Sequence, residues 1–98
     1  MITLESAQDR IEEYITKLEA STGEALCVLT EETIECASGW VFFFNSSEFI
    51  KTGNPKYALA GNAPILVDKS TGATVPLGTA YPVADYIDHY TKTGDVLR

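Results

Sequence analysis

The sequence predicts an α+β fold: a four-stranded, mainly antiparallel sheet flanked by an N-terminal and a C-terminal helix. The expected order is helix, two strands, an irregular stretch with short helical turns, two strands, helix. Three observations carry this expectation. Apolar residues recur at helical spacing near both ends, first at Leu4, Ala7, Ile11, Tyr14, Ile15 and Leu18, then at Val83, Tyr86, Ile87 and Tyr90. The middle holds "WVFFF", residues 40–44, whose apolar side chains occupy both parities of an extended chain. Beyond it, "ILVDKSTGATVPLG" (65–78) places two short β-prone runs around a Lys-Ser-Thr-Gly turn. With 98 residues and 45% apolar content, residues 1–98 are expected to form a single domain around one core.

The elements follow in order. Thr3 can cap a helix whose first turn holds Glu5, and Thr22-Gly23 ends it near residue 21. Glu5, Asp9, Glu12 and Glu19 lie opposite the apolar stripe, and Glu13 with Lys17 makes a favourable i,i+4 pair. "ALCVLTEETIE" (25–35) reads as a strand, with Leu26, Val28 and Ile34 on one parity and an acidic second half suited to a sheet edge. Ala37-Ser38-Gly39 turns the chain into an antiparallel strand over 40–45, whose rings are either core or a platform for contact. Most of them are expected in the core, with Trp40, at the strand's start, partly exposed. Ser46-Ser47-Glu48 starts a short helical turn, and Gly53, Asn54 and Pro55 are loop chemistry. Residues 65–68 form a strand, Gly72 takes the left-handed position of the turn, and Pro76 marks the return strand as an edge. Pro82 opens the last helix, with His89 off its apolar stripe. Both terminal helices are expected on one face of the sheet, with residues 46–64 covering part of the other.

Composition narrows the function classes. The net charge is −7, from 14 acids and 7 bases, and residues 1–35 hold nine of the acids but only Arg10 and Lys17 among the bases. That segment accounts for the whole imbalance. Such a field repels nucleic acid and favours a basic partner, although the same charges also serve solubility. No stretch approaches the ~20 apolar residues of a membrane span, and the opening "MITLESAQDRIEE" has neither the basic start nor the apolar core of an export signal. A cytoplasmic chain is expected. Cys27 and Cys36 have neither zinc nor redox spacing, and one histidine with two cysteines supplies no orienting third member for nucleophilic catalysis. Dinucleotide, P-loop and serine-hydrolase signatures are missing as well. No catalytic, cofactor-binding or metal-binding residue is assigned.

"EFIKTGNPKYALAGNAPILVDKSTG" (48–72), preceded by Gly39-Trp40 and Phe42 to Asn45 and followed by Gly78-Thr79-Ala80-Tyr81-Pro82, resembles the YrhB-like proteins, grouped as the immunity protein 35 family. The likeness runs over nearly the whole chain and is strongest from Gly39 to Pro82. It implies an α+β fold and a protein from a bacterial polymorphic toxin system that neutralises a cognate toxin by binding it. One enterobacterial member is similar to a small heat-stable chaperone, so a holdase is the alternative expectation. The family's tryptophan carries over to Trp40, and its glutamate to Glu48 or to one of Glu31, Glu32 and Glu35.

The expected protein-binding residues are therefore Glu12, Glu31, Glu35, Trp40, Glu48 and Asn62. The three glutamates of the acidic segment would steer a basic toxin. Asn62, in "LAGNAP", is either turn geometry leading into the strand at Ile65 or a polar contact to the partner.

Overall fold

The computed structural model describes residues 1–57 and 63–97. Along the chain come α1 (Leu4–Thr22), β1 (Leu26–Val28), a 3-10 turn (Thr30–Glu32), β2 (Ile34–Cys36), β3 (Gly39–Phe42) and β4 (Phe44–Ser46). Then follow α2 (Ser47–Thr52), a second 3-10 turn (Pro55–Tyr57), β5 (Ile65–Asp68), β6 (Thr74–Pro76) and α3 (Val83–Thr93). The four-stranded sheet has the order β2-β3-β5-β6, every neighbouring pair antiparallel, and β1 with β4 forms a separate antiparallel pair. The expected α+β fold with a helix at each end is present.

Local chemistry sets the element ends. The Thr3 hydroxyl accepts the Ser6 N–H at 3.2 Å, satisfying one of the orphan donors of α1. Gly23 closes α1 at φ 76°, its N–H donating to the Glu19 carbonyl at 2.8 Å. Gly72 takes φ 75° in the β5–β6 turn, as the Lys-Ser-Thr-Gly signature requires. Pro76 lies on β6, an edge strand, where its missing N–H costs no ladder bond.

The first long hairpin departs from expectation in an instructive way. Residues 25–35 do not form one strand, because the Thr30–Glu32 turn is inserted between β1 and β2. Val28 stands opposite Phe44 and Ile34 opposite Val41, so the first arm spends three more residues than the second over the same span. An odd insertion reverses the facing of everything after it. Leu26 and Val28 accordingly pack under α1, whereas Ile34 and Cys36 pack toward α3, and the shared face expected for Leu26, Val28 and Ile34 is not observed. The second arm has no insertion and keeps its alternation. Trp40, Phe42 and Phe44 join the core with Ala7, Ile11 and Ile15 of α1, while Val41 and Phe43 join the core with Tyr86 of α3.

Two further expectations are corrected. The terminal helices do not share a face: α1 covers one side of the sheet and α3 the other. The apolar runs of β3 and β5 require cover on both faces, and strands of three or four residues are only ~10–13 Å long. A helix of 11 residues, ~16 Å, is sufficient for such a face; of the irregular segment expected there, residues 58–62 lie outside the described residues. Residues 47–57 instead close the end of the small β1–β4 pair: α2 packs on β4 and β1, and the Ser46 hydroxyl donates to the Tyr57 carbonyl at 2.6 Å. Trp40 is also not partly exposed. Its ring retains 7% of its accessible surface, because Trp40 sits opposite Val67 of β5 and the chain before α1 is tied down there by Ile2 N–H donating to the Lys69 carbonyl at 2.8 Å.

Candidate functional site

Helix α1 has two chemically distinct flanks. Glu5, Glu12 and Glu19 recur every seven residues, two turns apart, and so share one flank of the apolar stripe rather than the side opposite it, where Asp9 alone of the four expected acids stands. Arg10 and Lys17 share the other flank by the same spacing. Glu19 is spent on structure, since its Oε2 accepts the Leu26 N–H at 2.8 Å and anchors the start of β1 to the helix. Glu5 and Glu12 remain exposed. Of the expected contact residues, Glu12 thus stands on the flank that leads toward β1. Glu31 is exposed on the inserted 3-10 turn.

Glu35 lies on β2 directly opposite Trp40. Because Ile34 and Cys36 turn toward α3, Glu35 points to the α1 side of the sheet and remains exposed there. An outward carboxylate on an edge strand discourages pairing with another chain. The Trp40 ring beside it is covered by the Lys69 ammonium, 5.4 Å from the ring centroid, and its Nε1–H has no acceptor among the described residues. Packing and the cation–π contact hold this indole, and no hydrogen bond aims it. The structure therefore brings Glu35 and Trp40 together, with the glutamate at the surface and the ring beneath it.

Glu48 is exposed in the first turn of α2, where the helix dipole favours a carboxylate. The neighbouring Ser46 is a buried polar group with two roles: its hydroxyl accepts the Phe49 N–H at 3.0 Å as the helix cap while donating to Tyr57. Asn62 lies outside the described residues, as does Gly61 of the same turn. Cys27 is exposed and Cys36 half-buried, both as free thiols. Among the described residues no cluster of His, Cys, Asp or Glu could hold a metal ion, and no helix is long and apolar enough to cross a membrane.

Two arrangements were not foreseen. Asp68, at the end of β5, accepts the Tyr90 hydroxyl at 2.7 Å through Oδ2 and the Ser70 N–H at 2.7 Å through Oδ1, so one carboxylate holds both the hairpin turn and α3. Burial pushes its pKa up, but the bonds from Tyr90, Ser70 and Thr71 outweigh that and leave it below the ordinary value. Tyr90 is pushed up to about 12 by burial, by the bond to Asp68 and by the charge of that carboxylate. The signal in the sequence was an aspartate two residues before a turn serine, a common turn-former. The second arrangement is a cleft of about 240 Å³ between α1 and the β5–β6 hairpin, lined by Arg10, Glu13, Tyr14, Lys17, Gly72, Ala73 and Thr74. Two bases seven apart in an otherwise acidic segment were its visible trace.

Comparison with known proteins places these features in context. The family model described as immunity protein 35 matches residues 5–91. The chain is also 44% identical over 54 residues to a protein of Escherichia coli (strain K12) described as the uncharacterized protein YrhB, a match covering 55% of this chain and 57% of that relative. No solved structure gives a significant match.

Proposed function

The chain belongs to the immunity protein 35 family, and on that premise we propose that it is a non-enzymatic immunity protein, one that binds a cognate bacterial toxin and neutralises it by stoichiometric contact. The observation that carries this reading is the family match itself, which takes in both sheets and nearly all of both terminal helices. The surface supports it. Exposed carboxylates at Glu12, Glu31, Glu35 and Glu48, on four different elements, favour a basic partner. The exposed large apolar residues among those described are Met1, Leu4, Ile50, Tyr57 and Tyr81, drawn from separate parts of the chain. A holdase would need a broad apolar face, whereas a dedicated inhibitor needs a few anchors.

Co-expression with a candidate cognate toxin tests the reading. Growth should be restored, and the two purified proteins should elute together at one-to-one stoichiometry. Survival with no complex in solution would overturn the contact mechanism. Suppression of aggregation of an unrelated unfolded protein, without any toxin complex, would favour the holdase.

A further inference from the structure

The cleft between α1 and the β5–β6 hairpin runs against the charge of its surroundings. Residues 1–35 contain two bases, Arg10 and Lys17, and both line this one cleft. Their seven-residue spacing puts them on a single helix flank, with Tyr14 between them on the same side.

The guanidinium is held in advance. Arg10 Nη1 donates to the Gly72 carbonyl at 3.2 Å, and a Cβ at Gly72 would come within 2.5 Å of Arg10 Cζ. The φ of 75° favours glycine at this position, and the missing side chain leaves the room the guanidinium occupies. One of the five N–H donors of Arg10 is used in this bond, and the others have no acceptor among the described residues. Tyr14 and Thr74, each with a hydroxyl, also line the cleft. Lys17 makes an i,i+4 pair with Glu13 at 3.5 Å, and both side chains are largely exposed, so the ammonium is free to turn inward at little cost.

We propose that this cleft binds a single carboxylate, the side chain of an aspartate or glutamate on the bound partner, with Arg10 and Lys17 as its charged ligands and the Tyr14 and Thr74 hydroxyls as neutral donors. The site rests on the proposed function for its partner. Two cations against Glu13 leave one net positive charge, which matches a carboxylate better than the −1.5 to −2 or so of a phosphate group. The volume, about 240 Å³, lies below the roughly 300–1,000 Å³ usual for small-molecule sites and suits one inserted side chain. Arginine with its planar fork is the preferred donor for such a group. The acidic surface would attract a basic partner, and this inset of opposite sign would then fix its register by admitting one acidic side chain.

The test is an NMR titration of the isolated protein with N-acetyl-glutamate N-methylamide, which carries one carboxylate. Its neutral glutamine analogue and inorganic phosphate serve as comparisons. Saturable shifts should centre on the Arg10 Nε–H and the amides of Gly72 to Thr74, and the glutamine analogue should produce none. Lys17→Gln, at an exposed position that leaves the fold intact, should weaken binding about fivefold, and Glu13→Gln should strengthen it. Equal shifts with the glutamine analogue, or shifts spread equally over Lys51 and Lys56, would overturn the site. Tighter binding of phosphate would overturn its assignment to a carboxylate. The titration contains no toxin, so its failure leaves the proposed function standing, and a failed co-expression leaves the cleft to be judged on the titration alone.

Discussion

Trp40 and Ser46 show how differently a buried residue can be held. Trp40 is fixed by packing, with 7% of its surface left and its indole N–H unpaired among the described residues. Trp40→Ala should therefore cost ~3–5 kcal/mol through lost transfer energy and the cavity left behind. Trp40→Phe should cost clearly less, because no hydrogen bond is lost. Urea denaturation of both variants checks this, and an unchanged midpoint for the alanine variant would place the ring outside the core. Ser46 is fixed by two hydrogen bonds, one capping α2 and one reaching the Tyr57 carbonyl. Ser46→Ala strands both partners, and about 1–2 kcal/mol of stability should be lost. The loss should appear as faster amide exchange confined to α2 and the turn after it; uniform acceleration through the sheet would contradict that local role. Gly39 belongs to neither case: a Cβ there would run into the Val67 carbonyl oxygen, so β3 and β5 approach as closely as they do because the side chain is absent.

Helix α3 is attached to the sheet by its apolar stripe, by a longer hydroxyl contact of Thr91 with Ser38 at 3.3 Å, and by a 2.7 Å polar lock, Tyr90 to Asp68. The two groups respond to pH in opposite windows. Asp68 has a folded pKa below its ordinary value of 3.8, so its contribution is present above that value and fades as pH falls below it. Tyr90 has a folded pKa raised to about 12 from 10.0, so its contribution is complete below pH 10 and is lost as pH rises toward 12. Tyr90→Phe should remove about 1–1.5 kcal/mol at neutral pH. The variant's stability should also fall less steeply than that of the wild type between pH 10 and 12. Parallel stability profiles in that range would show that the lock does not carry the alkaline dependence. Between β1 and β2, the inserted turn Thr30–Glu32 lets a single long hairpin serve two sheets, with the Leu29 N–H still donating to the Phe43 carbonyl at 2.8 Å across the break.

For the molecule as a whole, the net charge is −7, and exposed carboxylates such as Glu12, Glu31 and Glu35 contribute little to stability. Reversal of Glu12, Glu31 and Glu35 to lysine should leave the melting temperature within a few degrees of the wild type. Association with the toxin should slow at low salt, and the difference should shrink beyond about 0.1 M, where the screening length is ~10 Å. Stopped-flow binding at two salt concentrations measures this directly. Equal rates at low salt would assign these carboxylates to solubility and move the search for the contact surface to Glu48 and to the cleft at Arg10 and Lys17.

The sequence alone determined the elements whose cause is local. Thr3 and Gly23 bound α1, the Lys-Ser-Thr-Gly turn and Pro76 define the β5–β6 hairpin, and the stripe of Tyr86 and its neighbours marks α3. Each depends on backbone chemistry or on a period that a few consecutive residues reveal. The apolar residues at both parities of "WVFFF" also told correctly that this strand is covered twice. Only the tertiary structure decided what covers it. Periodicity reports that a face is buried, but it carries no label for the partner, so the placement of α1 and α3 on opposite sides depends on how the chain returns from β6. The three-residue insertion at Thr30–Glu32 was illegible for a related reason: polar residues extend the alternation just as well as they leave it. The candidate site divides in the same way. Exposed carboxylates could be listed from charge alone, whereas the spending of Glu19 on β1 and the meeting of Arg10 with Gly72, 62 positions away, arise only when distant segments fold against each other.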